Sequence, residues 1–263
     1  MNITDEEVEK LLIEAEKKAG ELIMHAHGIM AEQKTDARNV VTEYDRKVQE
    51  MLMEQLSKAV PGAHFFCEEM DHPDSLSAEH VFIIDPIDGT MNFVKGLNHS
   101  CISIAYMHKG AVSAAAIYNP YLDEMFSAVR GKGAFLNGKP IRMPNAPMKE
   151  GVACFGTSPY YADKTDKTFQ ILRTVFDNSL DIRREGSAAL DLCSVAAGRA
   201  GIFYEMALSL WDFAAGSLIV EEAGGRACMT DGKPFRFDEG KPSVLAGSPQ
   251  AVEDFLRLTK DLL

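Results

Sequence analysis

A six-residue segment, Asp85-Pro86-Ile87-Asp88-Gly89-Thr90, directly follows the apolar run 81–84. The run predicts a buried strand that ends at Asp85. Pro86 fixes one backbone dihedral angle and Gly89 permits a left-handed backbone, so two carboxylates and the Ile87 carbonyl can converge on one point. Oxygen ligands of this kind suit Mg²⁺. A solvated Asp-Pro and Asp-Gly turn is the alternative interpretation of the segment alone.

Further acids stand at the ends of other predicted elements. Glu68 and Glu69 follow a short apolar run, Asp212 opens a strongly helical segment, and Asp45 closes the stretch Thr42-Glu43-Tyr44-Asp45. Each has an ordinary alternative: adjacent glutamates often form a solvated edge, and Asp212 could cap its helix. The hypothesis of a metal site gains its force from the coincidence of four such places.

Several familiar catalytic motifs are missing from the sequence, which contains no GxSxG, no HExxH and no Walker A pattern. Serine-nucleophile chemistry, zinc proteolysis and P-loop NTP hydrolysis therefore lose support. The five cysteines are scattered without a CxxC pair, which argues against a zinc ribbon and favours reduced thiols in the cytoplasm.

The charge balance constrains the ligand. The formal net charge is -12 and the pI is about 5.1, which argues against nucleic acid as the main ligand. A phosphate-bearing small molecule would need a cation that is not a side chain. The acidic N-terminus and the lack of a long apolar run predict neither export nor membrane insertion, so we expect a cytoplasmic protein.

The acids must be positioned by two differently patterned halves, which we divide at the turn-rich segment 143–147 into residues 1–147 and 148–263. The first half begins with a capping-box pattern at Thr4 and Glu7 and a long amphipathic helix, followed by a second helix over 44–59. Short β-rich runs then predict an antiparallel sheet, with a hairpin turn at Asn137-Gly138.

The second half alternates strands and helices, which we expect over 152–155, 164–176, 180–184, 188–197, 201–205 and 213–223, with a last helix from Pro249. Stacked layers follow from this order. The predicted fold is a mixed α+β and α/β protein, a layered α-β-α-β-α sandwich with an antiparallel half and an alternating half.

The joint pattern closely resembles the inositol monophosphatase family over nearly the whole chain. The matching motifs are Val41-Thr42-Glu43-Tyr44-Asp45, Glu68-Glu69, Asp85 to Phe93, and Trp211-Asp212-Phe213-Ala214-Ala215-Gly216 running to Gly225. Residues 184–191 and 204–206 also look like family elements. One departure is Cys67, where the family commonly has Gly before the two glutamates; we expect Cys67 to be buried in the core.

The resemblance implies a Mg²⁺-dependent phosphomonoesterase that holds two or three ions. The implied metal ligands are Glu68, Asp85, the Ile87 carbonyl, Asp88 and Asp212, with Asp85 bridging two ions. Asp45 and Thr90 match the pair that orients and activates the attacking water, and Glu69 matches an acid beside the ligands. Direct in-line displacement at phosphorus is the implied mechanism, in agreement with the need of phosphoryl transfer for charge neutralisation and alignment.

The resemblance also implies a substrate pocket formed by Glu68, Ile87, Asp88, Gly89, Thr90, Arg184, Gly186, Ser187, Ala188, Glu205 and Asp212. Ser187 could instead cap a helix, and Glu205 could be a surface acid. Inositol 1-phosphate is the expected substrate. The alternatives are fructose 1,6-bisphosphate or a broad range of sugar phosphates, and a non-catalytic regulatory binding role. A homodimer is expected from the family alone.

Overall fold

The computed structural model describes residues 3–34, 39–71, 74–237 and 240–263. The described part of the first half contains three helices and nine strands. In chain order they are α1 (Asp5–Met24), β1 (Ala31–Gln33), β2 (Val40–Thr42), α2 (Glu43–Ala59), β3 (His64–Cys67), β4 (His80–Asp88), α3 (Thr90–Val94), β5 (Cys101–His108), β6 (Ala111–Asn119), β7 (Glu124–Val129), β8 (Gly133–Leu136) and β9 (Lys139–Ile141).

The second half begins with a 3-10 turn at Met148–Glu150. It continues with β10 (Val152–Phe155), α4 (Ala162–Asp177), β11 (Asp181–Arg183), α5 (Ala188–Ala196), β12 (Ile202–Glu205), α6 (Leu210–Glu222), β13 (Arg226–Cys228), β14 (Val244–Gly247) and α7 (Pro249–Thr259). Among the described residues, no helix combines the length and the apolarity that crossing a bilayer requires.

Helix α1 begins as the sequence predicts. Thr4 accepts a hydrogen bond from the backbone of Glu7, and the Glu7 side chain accepts one from the backbone of Thr4, so the predicted capping box is confirmed. The helix buries Val8, Leu12 and Ala19 against the large sheet. Its apolar stripe therefore fixes how the first layer of helices sits on the strands.

The large sheet has seven strands in the order β3-β4-β5-β6-β7-β8-β9. The prediction that this half is antiparallel was wrong for one pair, because β3 and β4 run parallel, with Cys67 opposite Ile84. A short hairpin cannot join two parallel strands, so the chain must return to the end at which β3 begins before it enters β4. As a result, both strands end at the same edge.

Short strands were the elements that the sequence did not reveal. β1, β2 and β9 have three residues each, too few to show alternation of apolar and polar residues. The predicted turn at Asn137 and Gly138 is confirmed, since both residues have positive φ (50° and 73°) and join β8 to β9.

The second sheet has five strands in the order β11-β10-β12-β14-β13. Helices α5 and α6 lie between the two sheets in one core that includes Phe203 and Phe213, while α4 and α7 pack on the outer face of the small sheet around Ile171 and Phe255. With α1 and α2 on the far face of the large sheet, the layers read α-β-α-β-α. The predicted fold class is confirmed; the division at residue 147 stays a prediction.

Candidate active site

The parallel pairing of β3 and β4 brings two of the predicted acids to one edge. Glu68 follows the last residue of β3, and its backbone N-H donates to the carbonyl of Ile84 at 3.1 Å, directly before Asp85. The register of β4 against β5 shifts between Asp85 and Asp88. This irregularity re-aims the end of the strand, so that the two aspartates need not point to opposite faces.

Gly89 makes the sharp turn that follows. It has a φ of 89°, in the left-handed region, and a Cβ at this position would lie 3.1 Å from the carbonyl oxygen of His99 and 3.2 Å from that of Gly186. A side chain would be strained by the backbone conformation and crowded by these two carbonyls. Gly89 therefore permits the chain to turn from β4 into α3 within the pocket.

Asp212 reaches the same place from the other half of the chain. It is the third residue of α6, and its carboxylate accepts a hydrogen bond of 2.7 Å from the backbone of Ser209. Ser209 is the N-cap, so the alternative that Asp212 itself caps the helix is wrong. Oxygen atoms of Asp85, Asp88 and Asp212 lie within 4.8 Å of one another.

Burial makes this cluster of carboxylates electrostatically unfavourable without a cation. Asp85 is 1% exposed, and burial together with the nearby Glu68 raises its pKa well above the ordinary value. Burial and the charge of Asp88 likewise raise the pKa of Asp212. The three carboxylates repel one another when charged, and a divalent cation would neutralise them. Hard oxygen donors at this spacing therefore fit an ion such as Mg²⁺.

Asp88 is held by the N-terminus of α5. The Ser187 hydroxyl donates to Asp88 Oδ2 at 2.5 Å and the Ala189 backbone donates to the same oxygen at 2.7 Å. Burial raises the pKa of Asp88 to about 6, although these hydrogen bonds oppose the shift. Ser187 also caps α5 by accepting from Leu190, so the capping alternative holds for this residue.

Thr90 and Asp45 form a hydrogen-bonded pair. The Thr90 hydroxyl lies 3.2 Å from Asp45 Oδ1 and 3.1 Å from the carbonyl oxygen of Ile87, to either of which it can donate. The other carboxylate oxygen of Asp45 accepts from the backbone and hydroxyl of Thr42, at 2.8 and 2.5 Å, in the capping box of α2. Burial raises the pKa of Asp45, and the Thr42 hydrogen bonds oppose the shift.

A lysine that the sequence did not single out joins the glutamates. Lys34 donates to Glu68 at 2.9 Å and also to Glu69, whose side chain is 8% exposed. The solvated-edge alternative is therefore wrong for Glu69. Burial and the neighbouring Glu68 raise the pKa of Glu69 to about 7 even though Lys34 lowers it. No motif marks Lys34, because its two contacts join residues 34 and 35 positions apart in the sequence.

The far wall of the site is built around Glu205 at the end of β12. Its carboxylate accepts from the backbone and hydroxyl of Ser158, at 2.8 and 3.2 Å, and burial raises its pKa to about 7. It is 7% exposed, so the surface-acid alternative is wrong. A Cβ on Gly156 would lie 1.8 Å from Glu205 Oε2. Gly156 therefore leaves room that Glu205 occupies.

All of these walls enclose one cavity of about 810 Å³. Asp85 lines it together with the eleven predicted substrate-binding residues: Glu68, Ile87, Asp88, Gly89, Thr90, Arg184, Gly186, Ser187, Ala188, Glu205 and Asp212. Asp45 and Glu69 lie behind this lining, in contact with Thr90 and Lys34. The sequence missed Lys34, Gly156, Tyr160 and Asp191, which also face the cavity.

Comparison with known proteins gives consistent results. The sequence model of the family described as the inositol monophosphatase family matches residues 4–262 of this chain. An Escherichia coli protein named Nus factor SuhB is 36% identical over 259 residues, 96% of each chain. A Mesorhizobium japonicum protein named inositol-1-monophosphatase is 35% identical over 254 residues, 95% of each chain. The solved structure of the extragenic suppressor protein suhB from Bartonella henselae matches with a TM-score of 0.89 and 35% identity, over 96% of this chain and 98% of that one.

Proposed function

The chain belongs to the inositol monophosphatase family, as its motifs predicted, and we propose that it is a Mg²⁺-dependent phosphomonoesterase that hydrolyses inositol 1-phosphate to inositol and phosphate. The observation that carries the proposal is the convergence of Asp85, Asp88 and Asp212 on one wall of a cavity large enough for a phosphorylated polyol. A cavity with several convergent polar groups and perturbed pKa values is a typical active site.

We assign Glu68, Asp85, Asp88, Asp212 and the Ile87 carbonyl to hold two or three Mg²⁺ ions. When bound, Mg²⁺ would neutralise the phosphate charge and align the reacting oxygens. Lys34 pairs with Glu68 and also lines the cavity, where its ammonium group could approach the phosphate of a substrate. Lys34 would then supply part of the positive charge that this acidic chain otherwise lacks.

The pair of Asp45 and Thr90 is the proposed means of activating water. The Thr90 hydroxyl faces the cavity, and Asp45 lies behind it at 3.2 Å with its second oxygen fixed by Thr42. A water that donates to Thr90 would pass a proton through the hydroxyl to Asp45, whose raised pKa makes it a better proton acceptor than an exposed carboxylate. Glu69 would support Glu68 through their shared contact with Lys34.

Selection of the alcohol is assigned to the far wall. Glu205 and Arg184 offer an acceptor and a donor to a ring of hydroxyls, and Gly186, Ser187 and Ala188 form the surface between them. Burial fixes the Glu205 carboxylate against Ser158, so its position does not depend on the substrate. A pre-positioned acceptor of this kind favours polyols over substrates that lack hydroxyls.

The test is phosphate release from inositol 1-phosphate, fructose 1,6-bisphosphate and 3'-phosphoadenosine 5'-phosphate, each with Mg²⁺ and with EDTA. We expect Mg²⁺-dependent release that is fastest with inositol 1-phosphate. A faster rate with fructose 1,6-bisphosphate would replace the proposed substrate by the runner-up while keeping the reaction class. No release from any of the three would contradict the catalytic proposal.

A regulatory binding role is a second candidate, because relatives that are 36% identical to this chain bear the name Nus factor SuhB. The ligand set argues for catalysis, since Asp85, Asp88 and Asp212 are all present. Asp88→Asn separates the two functions: a catalytic role should be lost, whereas a binding role should persist.

We further propose a cytoplasmic homodimer. Light scattering would test the dimer. The five free, buried cysteines suit a reducing compartment.

A further inference from the structure

A second cluster of possible metal ligands lies at the opposite end of β4 from the acids. His80 begins β4 and His108 ends β5, and these two residues face each other in the antiparallel register. Their rings stack with centroids 5.1 Å apart and planes inclined by 15°. Glu79 Oε1 lies 3.8 Å from His108 Nε2, and ligand atoms of all three residues lie within 4.8 Å of one another.

We propose that Glu79, His80 and His108 form a second metal site, for Zn²⁺ or a similar divalent transition metal. Two imidazole nitrogens and one carboxylate are donors that zinc accepts readily and that Mg²⁺ does not prefer. Three protein ligands leave a fourth position of the tetrahedron for water. The bound ion joins the first residue of one strand to the last residue of its neighbour.

Tyr106 orients the first of these imidazoles. Its hydroxyl oxygen lies 2.6 Å from His80 Nδ1, and the tyrosine is 1% exposed, so the core fixes its position. With Nδ1-H donating to Tyr106, the Nε2 atom of His80 is left for the metal. Such a hydrogen bond from the non-ligating nitrogen of a histidine is the usual means of fixing tautomer and ring direction at metal sites.

The remaining adjustments involve exposed side chains. Zinc bonds of about 2.0–2.1 Å bring tetrahedral ligand atoms to roughly 3.4 Å from one another, whereas Glu79 Oε1 and His108 Nε2 are now 3.8 Å apart and the ligand atoms of the cluster lie within 4.8 Å. Glu79 is free to rotate, and its present partner Lys109, at 3.4 Å, is largely exposed and can turn to solvent. The His108 ring, now nearly parallel to that of His80, must also turn so that a nitrogen of each ring points at one ion.

The two sites differ in place and in chemistry. Asp85 follows His80 by five positions along an extended strand, which corresponds to roughly 17 Å. The acidic site has two buried carboxylates and one partly buried carboxylate, whereas this site has two partly exposed imidazoles and one exposed carboxylate. The two sites share no residue, so substitutions at the histidines test this site separately from the acidic one.

The test is calorimetric titration of the full chain with Zn²⁺ in a large excess of Mg²⁺, which competes with Zn²⁺ for the oxygen site. We compare the unaltered chain with His108→Ala, His80→Ala and His64→Ala. His64 is the matched control because it pairs with Val81 at the same end of the sheet but on the opposite face. We expect one Zn²⁺ equivalent in the unaltered chain and in His64→Ala.

Loss of either histidine of the cluster should weaken Zn²⁺ binding at least about tenfold. Substituting a residue that only hydrogen-bonds to a metal ligand already lowers metal affinity ~10–100-fold. Zn²⁺ should also raise the melting temperature of the unaltered chain but not that of His108→Ala. Equal binding by the unaltered chain and His108→Ala would overturn the proposal. If His80→Ala melts early without metal, Glu79→Gln takes its place, with the same expected loss.

Discussion

Strand β4 carries a polar cluster at each end, and the two clusters differ in burial and in the direction of their pKa shifts. At its carboxyl end, Asp85 and Asp88 are buried and face Asp212 from another layer. At its amino end, Glu79, His80 and His108 lie at the end of one antiparallel strand pair, where solvent reaches them. Burial raises the pKa of the first set, while an exposed ion pair with Lys109 lowers the pKa of Glu79.

The difference shows that the burial set by tertiary structure determines how polar side chains interact with one another and with a cation. Carboxylates brought together in the interior repel one another in a medium that screens poorly, so a cation stabilises them strongly. Side chains at the surface keep their water and interact weakly until a metal of suitable softness binds. The predictions below test this contrast, beginning with the largest expected effect.

Asp88→Asn should lower kcat by roughly 10²–10³-fold or more, as removal of one electrostatic group from an active site commonly does. The substitution keeps the shape of the side chain but removes a charge from the cluster that would hold Mg²⁺. Phosphate release from inositol 1-phosphate measures the effect. Asp163→Asn, an exposed aspartate on α4, is the matched control and should keep full activity. Retained activity in Asp88→Asn would show that the buried cluster is not catalytic.

Thr90→Ala should reduce kcat by about 10²-fold, the lower end of what proton-transfer groups contribute. The change removes the hydroxyl that joins the cavity to Asp45 and leaves the acidic cluster intact. Thr90→Ser restores the hydroxyl and should recover most of the rate. The pH profile of kcat in Thr90→Ala should lose its dependence on Asp45. A variant with normal kcat would remove Thr90 from the mechanism.

Glu205→Gln should make stability less sensitive to pH. Burial raises the folded-state pKa of Glu205 from 4.5 to about 7, so the unaltered protein loses stability as pH rises through this interval. The shift corresponds to roughly 3 kcal/mol, fully expressed above pH 7. Glu79 should contribute nothing in this window because its pKa is lowered. Urea unfolding of both proteins at pH 5 and pH 8 checks the difference; equal losses would contradict it.

Gly156→Ala should raise KM roughly tenfold, the low end of what one misplaced methylene costs. The added Cβ would overlap the Glu205 carboxylate, which must then move from its place against Ser158. Because Glu205 is assigned to the alcohol and not to the reacting phosphate, kcat should change less than KM. A fall in kcat alone would instead place Glu205 at the chemical step.

The sequence predicted the acids well because local pattern reveals them. Asp85 ends an apolar run, Asp212 opens an apolar helix, and each can be found without knowing its neighbours in space. Helices and long strands were predicted within a few residues for the same reason. The family followed from several motifs in one order, and it is confirmed.

Features that depend on pairing between distant segments were harder to predict. The parallel register of β3 and β4, the three-residue strands and the contact of Lys34 with two glutamates leave no periodic signal in the chain. The overlap between the Glu205 carboxylate and a Cβ at position 156, which requires glycine there, is likewise visible only when β10 and β12 lie side by side. Each depends on contacts between residues far apart in the sequence.

The sequence alone thus determined the layered fold, the family and the candidate ligands, because apolar periodicity and short motifs are properties of neighbouring residues. Tertiary structure decided what those residues face. Ser187 meets Asp88 across 99 positions, and His80 meets His108 at the other end of the same strand. Burial and proximity, which set the charge of a carboxylate and the choice of its cation, arise only when the layers close.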